Sequence, residues 1–560
     1  MLTDGSTALD GSKGSPGDAG RFRSAWRRVQ LVARSPWGVP LAIAVLWFAV
    51  ALATQLWAWG LNPVVFPTPD EALVRFAAAV IGEHGTPFLK LPFPDPEDLA
   101  HPRSWLSLGD TALPTYAPVS LYAYGLLLRL HSVGLLLIAA FPATAIAAFA
   151  AGVALLLPVG RRWLALLAPA LGFVSLYWLL RPWMNISPVL ACLCWAFFFW
   201  ALWRKSDQNR WLLASLLCVA GGAAVRPDYA AFLLLIALLL AVAASPSRWK
   251  LIIALVTLAG AAALLPNLVL NKLVTGHAFR AAYQMALDRQ YGADDSHGLP
   301  GLGVLRTLLV PMGLPTLREG ASLFVKYWVK MSPVALLLFG QLAIVPLLRK
   351  KSLISRVLYS VALLLIAFLM ISRMHDELFG GAQAVGIAAH SVPRYLAPVY
   401  LFAALPPLLF LGQCSARVPL FVGATLACAL AASSVYEVGI EQPFSSVSIN
   451  AFVHKNQVLL DALAEKLPKD ALVYSATMDK ILWSRWRVGT IDAPNDSAAS
   501  INRAVVAGLP VFVFEPQLGR QSRRTAAALS ELGLALVRVP AGRGLYRVER
   551  RAPAAPVPKG

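Results

Sequence analysis

Charge is what this chain has least of. Asp, Glu, Lys and Arg make up 14% of its 560 residues, against about one quarter in an average soluble protein. With 58% hydrophobic residues and a mean hydropathy of +0.63, that scarcity excludes an ordinary soluble domain and makes a polytopic membrane protein the expected class. Acids are scarcer than bases: 29 Asp and Glu against 49 Lys and Arg, a net charge of +20. In a soluble protein such an excess would raise nucleic acid as a partner. No basic patch interleaved with aromatics is present, so no nucleic acid is expected, and the excess suits cytoplasmic loops of a membrane protein. Cysteine is also rare. Cys192, Cys194, Cys218, Cys414 and Cys428 lie within or at the edge of apolar runs, and a C-x-C spacing is neither a zinc nor a redox pattern. Neither a disulfide nor a cysteine metal site is expected.

What the chain has in abundance is apolar runs of membrane length. Residues 1–36 are expected to be a disordered, basic cytoplasmic N-terminus: Gly, Ser and Asp dominate the first twenty, then Arg21, Arg23, Arg27, Arg28 and Arg34 flank the first run. Ala51-Leu52-Ala53 could pass for a cleavage site, but the run from Trp37 to Leu61 is longer than a signal core and reads as an uncleaved anchor. About eleven transmembrane helices are expected, near 38–60, 133–158, 163–180, 188–203, 211–226, 229–245, 250–271, 323–348, 353–372, 395–412 and 418–435. Threading them alternately puts Arg161-Arg162, Arg204-Lys205 with Arg210, Arg248 with Lys250, Arg349-Lys350-Lys351 and Arg417 on the N-terminal side, the side that basic loops prefer. The outer side then receives 61–132 (the first outer loop), 272–322, 373–394 and the tail from about 436. Transporters keep ionisable groups at mid-membrane, whereas here the acids gather outside. Residues 436–550 alternate expected helices (451–467, 496–508, 520–533) with strands at 471–475, 510–514, 534–539 and 545–548, which predicts a small extracytoplasmic α/β domain. No G-x-G-x-x-G follows its first strand. Residues 551–560 read as a disordered tail.

The acids that matter most come directly after the first run, in Phe66-Pro67-Thr68-Pro69-Asp70-Glu71-Ala72-Leu73-Val74-Arg75-Phe76. Thr68 suits an N-cap, Pro69 the first helical position, and Glu71 the reciprocal place of a capping box. Glu71 therefore has a structural occupation open to it. Asp70 does not, and it shares a helix face with Leu73, Val74 and Ala77; a carboxylate on an apolar stripe is costly unless partnered, and such groups are functional candidates. Favourable charge at a helix start is the plainer alternative.

An apolar anchor, a short linker and an Asp-Glu pair opening an outer helix resemble the first loop of the GT-C membrane glycosyltransferases, which include protein O-mannosyltransferases and the aminoarabinose transferases that modify lipid A. Gly221 through Ala230, with Arg226-Pro227-Asp228, resembles the "R-P-[DE]" joint of that family. Ser391-Val392-Pro393-Arg394-Tyr395-Leu396-Ala397-Pro398 resembles its "R-Y-x-x-P" start of a late helix. The three motifs occur in the family's order over residues 38–435. The resemblance implies a GT-C-like fold over 37–435 and inverting transfer of a sugar from a polyprenyl-phosphate carrier at the outer face of the cell (inner) membrane. The acceptor would be a glycan, lipid or protein of the envelope, and the other partners membrane lipids. Asp70, with Glu71 beside it, matches the catalytic acid; Arg394, Tyr395 and Arg226 are candidates for the donor phosphate, since arginine suits phosphate.

The chain also departs from the pattern. Pro114-Thr115-Tyr116-Ala117-Pro118 stands where members often carry His-Pro-Pro or Lys-Pro-Pro, and Met184-Asn185-Ile186-Ser187 where many place an acid. Asp110, Asp98 and His101 are then candidates for acceptor or metal contact, with Glu97 nearby. No cofactor is implied, and a divalent metal is left open; a solvated loop is the plainer reading of that acidic stretch. His375-Asp376-Glu377 and His390 have no assigned role, and Lys272, Arg280 and Arg289 could meet the carrier phosphate or lipid headgroups. Two rival functions stay open: a transporter or flippase of lipid-linked sugars, and a non-catalytic member of the fold.

Overall fold

The computed structural model describes residues 37–60, 63, 66, 69–102, 105–116, 118–226, 246–278, 285, 394, 396–413, 417–436, 446–515, 520–540 and 544–551. Five of the described helices are long and apolar enough to cross a membrane: α1 (Gly38–Trp59), α4 (His131–Leu156), α7 (Ser187–Ser206), α9 (Trp249–Thr275) and α10 (Leu396–Gln413). They make the chain a multi-pass membrane protein. The run expected at 163–180 is broken. A 3-10 turn (Val159–Leu166) and α5 (Leu167–Leu171) lead to Gly172, and α6 (Phe173–Leu179) leaves at a bend of 63°. The runs at 211–226 and 418–435 are helical too, as α8 (Asn209–Val225) and α11 (Arg417–Tyr436), with shorter apolar stretches than the five. Those expected at 229–245, 323–348 and 353–372 lie outside the described residues.

Small residues let these helices approach closely, as lipid-embedded bundles require. The buried side of α4 is mostly alanine, from Ala139 to Ala154, and it packs between α1 and α7. At Gly152 a Cβ would sit 3.0 Å from the Phe197 ring of α7. At one end of the bundle Arg248 grips Asp207 through both guanidinium nitrogens, at 2.7 and 3.0 Å. The basic turns around Arg204 and Arg248 are therefore neighbours.

Between α1 and α4 lies the first loop. It holds α2 (Pro69–His84), an antiparallel sheet of β1 (Leu89–Lys90), β2 (Trp105–Leu108) and β3 (Thr111–Pro114) in the order β1-β3-β2, and α3 (Pro118–Leu128). The β2–β3 hairpin closes on Gly109-Asp110, where Gly109 takes φ 77°, a backbone state glycine adopts without steric cost. This hairpin was not expected.

Residues 446–550 form helices on a five-stranded mixed sheet. α12 (Ser446–Ala464) precedes β4 (Leu472–Ser475), the short α13 (Asp479–Leu482), β5 (Arg487–Thr490), α14 (Pro494–Val506), β6 (Val511–Phe514), α15 (Arg520–Glu531), β7 (Leu534–Arg538) and β8 (Leu545–Arg550). The order is β5-β4-β6-β8-β7, with β4 parallel to both its neighbours and the other pairs antiparallel. β5 was not expected, because Arg487-Val488-Gly489-Thr490 is short and only partly apolar. Both faces of β4 and β6 are buried, and the pleat divides their side chains. Leu472, Tyr474, Val511 and Val513 form one core with Ile501, Ala504 and Leu529 of α14 and α15. Val473, Phe512 and Phe514 belong to another, shared with Leu73, Val74, Ala77 and Ile81 of α2 and with Trp105. The sheet is thus packed on the first loop.

Candidate functional site

α2 buries Leu73, Val74, Ala77, Ala78 and Ile81 along one stripe, and its first turn carries two adjacent carboxylates, Asp70 and Glu71. Their environments differ. Glu71 lies deeper: it is 3% exposed and accepts two hydrogen bonds from Arg181, from Nε at 3.0 Å and Nη2 at 2.6 Å. Arg181 itself is 1% exposed, lies over the Tyr177 and Trp178 rings at 5.4 and 4.9 Å, and donates to the Tyr177 hydroxyl at 3.2 Å. A paired, doubly hydrogen-bonded charge is the form in which a buried ion is tolerated. Both oxygens of Glu71 accept from Arg181; the Thr68 half of the expected capping box lies outside the described residues. A narrow crevice between α1, α2 and α4 has Glu71 at its wall beside Gln55, Phe66, Leu135 and Ile138.

Asp70 is the more open of the two, and three other segments converge on it. The Tyr116 hydroxyl, from the strap between β3 and α3, donates to Oδ1 at 2.8 Å. Arg394, at the start of α10, donates through Nη1 to Oδ2. Lys480 of α13 brings Nζ to 4.0 Å from Oδ1. Burial acts to raise the Asp70 pKa, but the charges of Arg394 and Lys480 and the hydrogen bonds from Arg394 and Tyr116 outweigh it, lowering the value from 3.8 to about 2. The carboxylate is therefore ionised at neutral pH and, in this arrangement, a weak base.

The remaining candidates divide. Arg226 closes the C-terminus of α8 and donates to Asn185 Oδ1 at 3.2 Å. Tyr395, Asp228, Arg280, Arg289, His375, Asp376, Glu377 and His390 lie outside the described residues. Asp98 and His101 come together, with Nε2 of His101 2.6 Å from Asp98 Oδ1, and Asp98 also accepts from the Ser107 backbone N–H. Asp110 is exposed in the β2–β3 turn. Among the described residues no group of three or more His, Cys, Asp and Glu side chains is placed to hold a metal ion.

The acidic stretch is not a solvated loop. Asp95, 1% exposed, accepts from the N–H groups of Leu99 and Ala100 at 2.6 and 2.5 Å and from Ser500 Oγ of α14 at 3.3 Å. Glu97 pairs with Arg503 of α14. Thr490 of β5 donates its N–H to the Leu99 carbonyl at 2.7 Å and its hydroxyl to the His101 carbonyl at 2.9 Å. These acids fasten the loop to the C-terminal sheet. Three aromatic rings add to the seam: Phe76, Trp105 and Trp483, with centroids 4.4 to 6.0 Å apart.

No motif singles out Arg181 or Lys480. Arg181 follows an apolar run and precedes Pro182, a place that reads as a boundary anchor, and Lys480 lies some four hundred residues from its partner. Tyr116 stands in the strap Pro114-Thr115-Tyr116-Ala117-Pro118, which the sequence marks only by its prolines.

No protein-family model matches this chain, and no curated protein does. Among solved structures, the crystal structure of ArnT from Cupriavidus metallidurans in the apo state is similar at 13% identity, over 90% of this chain and 97% of that one, with a TM-score of 0.39.

Proposed function

We propose that this protein is an inverting membrane glycosyltransferase that moves a sugar from a polyprenyl-phosphate carrier to an envelope acceptor at the outer face. In this reading the N-terminus is cytoplasmic, and the C-terminal sheet lies outside the membrane with the first loop. The observation that carries it is the meeting of Asp70 with Arg394: the carboxylate of the first loop and the arginine at the start of a late helix, far apart in sequence, form one ion pair. The resemblance of their two motifs to those of the GT-C enzymes supports the same reading.

The chemistry has a place for each group. The acceptor hydroxyl attacks the anomeric carbon of the sugar; the new C–O bond forms as the bond to the carrier's phosphate oxygen breaks. The phosphate leaves with the electron pair, and the hydroxyl proton passes to Asp70 as general base. Arg394 stabilises the charge that grows on the departing phosphate. Glu71, locked to Arg181, holds the first turn of α2 so that Asp70 points at the reacting atoms.

Mass spectrometry of envelope glycans and lipids from cells with and without the protein tests this reading. A glycan mass that disappears with the protein and returns with the wild-type chain is expected. An unchanged envelope, with lipid-linked sugar accumulating on one side of the membrane, would favour a flippase instead.

A further inference from the structure

The first loop and α10 account for Asp70, Tyr116 and Arg394, but not for the second cation. Lys480 is carried in by the C-terminal sheet. It stands on α13, directly after β4, at the point where the chain's parallel strands diverge to either side, β5 to one and β6 to the other. In open parallel sheets this is where ligands are met. The turn that presents Lys480 is pinned: Ser475 Oγ donates to Glu515 Oε1 at 3.2 Å and accepts from the Met478 N–H at 3.0 Å, and the Ala476 N–H donates to Glu515. On its other side Trp483 is locked against Phe76 and Trp105. Arg394 and Lys480 are each only 15% exposed, and Asp70 between them 22%.

Two cations from different parts of the chain thus converge on one half-covered carboxylate, one at each of its oxygens. A carboxylate held this way is a poor proton acceptor, while a phosphate offers the same cations more charge and more acceptor oxygens. We infer that Lys480 and Arg394 form an anion clamp that Asp70 occupies at rest, and that the phosphate of a lipid carrier displaces Asp70 from it. The exchange rests on the carrier proposed above. It makes the C-terminal sheet part of the substrate site, and it releases Asp70 to act as a base only when a donor is in place.

Binding measured without turnover tests the exchange. The purified full chain in detergent is titrated with undecaprenyl phosphate, with the uncharged alcohol undecaprenol and with phosphatidylglycerol, and the fluorescence of its tryptophans is followed. The wild type is expected to prefer undecaprenyl phosphate to both controls. Lys480→Met should bind it about tenfold or more weakly, as loss of a charge-assisted contact implies, and Lys480→Arg should recover most of the affinity. Asp70→Asn should bind it more tightly than the wild type, because the resident competitor loses its charge; a purely structural role for Lys480 would not produce that gain. Wild-type affinity in a Lys480→Met protein with an unchanged unfolding temperature would overturn the clamp while leaving the glycosyltransferase reading intact. A wild type that bound undecaprenyl phosphate no better than phosphatidylglycerol would overturn both.

Discussion

At the residue scale, the two adjacent acids of α2 illustrate how one side chain's surroundings decide its chemistry. Glu71 is spent on the buried Arg181, whereas Asp70, 22% exposed, keeps a path to solvent. Removing either partner of the buried pair strands the other's charge. Glu71→Gln and Arg181→Met should each lower unfolding stability by about 3–5 kcal/mol, read as a shift in thermal or denaturant unfolding in detergent. The double variant should be milder than the sum of the two, since neither charge is then left behind. Additive losses would show that the pair is not a unit. The place of Asp70 at a helix start was legible in the sequence because Pro69 and the apolar stripe that follows are local patterns. That Glu71 is the deeper acid was not: the order depends on Arg181, 110 residues away, and no periodicity reports a partner at that distance.

At the scale of elements, α2 is positioned by its contact with α3. The two helices meet at glycines: a Cβ at Gly125 would lie 2.7 Å from Cγ2 of Ile81 and 3.0 Å from the Ala78 carbonyl, and one at Gly82 would lie 3.1 Å from the Gly125 carbonyl. Gly125→Val should push α2 away, costing about 1–3 kcal/mol by overpacking. It should also lower transfer far more than that loss of folded protein explains, because Asp70 moves with its helix. Transfer rates normalised to folded protein would show it, and an unaltered rate would mean that α2 is placed by other contacts. The long apolar helices α1, α4, α7, α9 and α10 could be read directly from hydropathy. The break at Gly172 was masked by the apolar character of the 163–180 run, although Pro169 and Gly172 mark it; beyond the bend Ser175 Oγ donates to the Ala397 carbonyl of α10 at 2.6 Å. The β2–β3 hairpin did leave a signal, a two-residue Gly-Asp turn between short apolar stretches, but strands of four residues rarely stand out beside membrane helices.

At the scale of the whole molecule, the chain closes on itself. The first loop and the C-terminal sheet share one hydrophobic core and a seam of hydrogen bonds at Asp95, Thr490 and Ser500. The alternation of helices and strands in residues 446–550 was legible from the sequence; its attachment to the loop was not, because the acids of Asp95-Pro96-Glu97-Asp98 look like any solvated turn until Ser500 and Arg503 are brought to them. Trp483 is the centre of the seam. Trp483→Ala should cost about 3–5 kcal/mol and loosen α13 from α2. Limited proteolysis should then cut the C-terminal segment faster while the membrane helices keep their helical signal. An unchanged cleavage rate would place the strength of the seam elsewhere, in the hydrogen bonds of Asp95 and Thr490.

The claim that unites the three scales is that Asp70 takes the acceptor's proton. It is tested most directly by single-turnover transfer from a lipid-linked sugar, comparing the wild type with Asp70→Asn in proteoliposomes at matched folded concentration. The amide keeps the shape and the Tyr116 contact but cannot accept the proton, so the transfer rate should fall by about 10²–10⁴-fold, with carrier binding kept or improved. Transfer by well-folded Asp70→Asn at the wild-type rate would contradict the account.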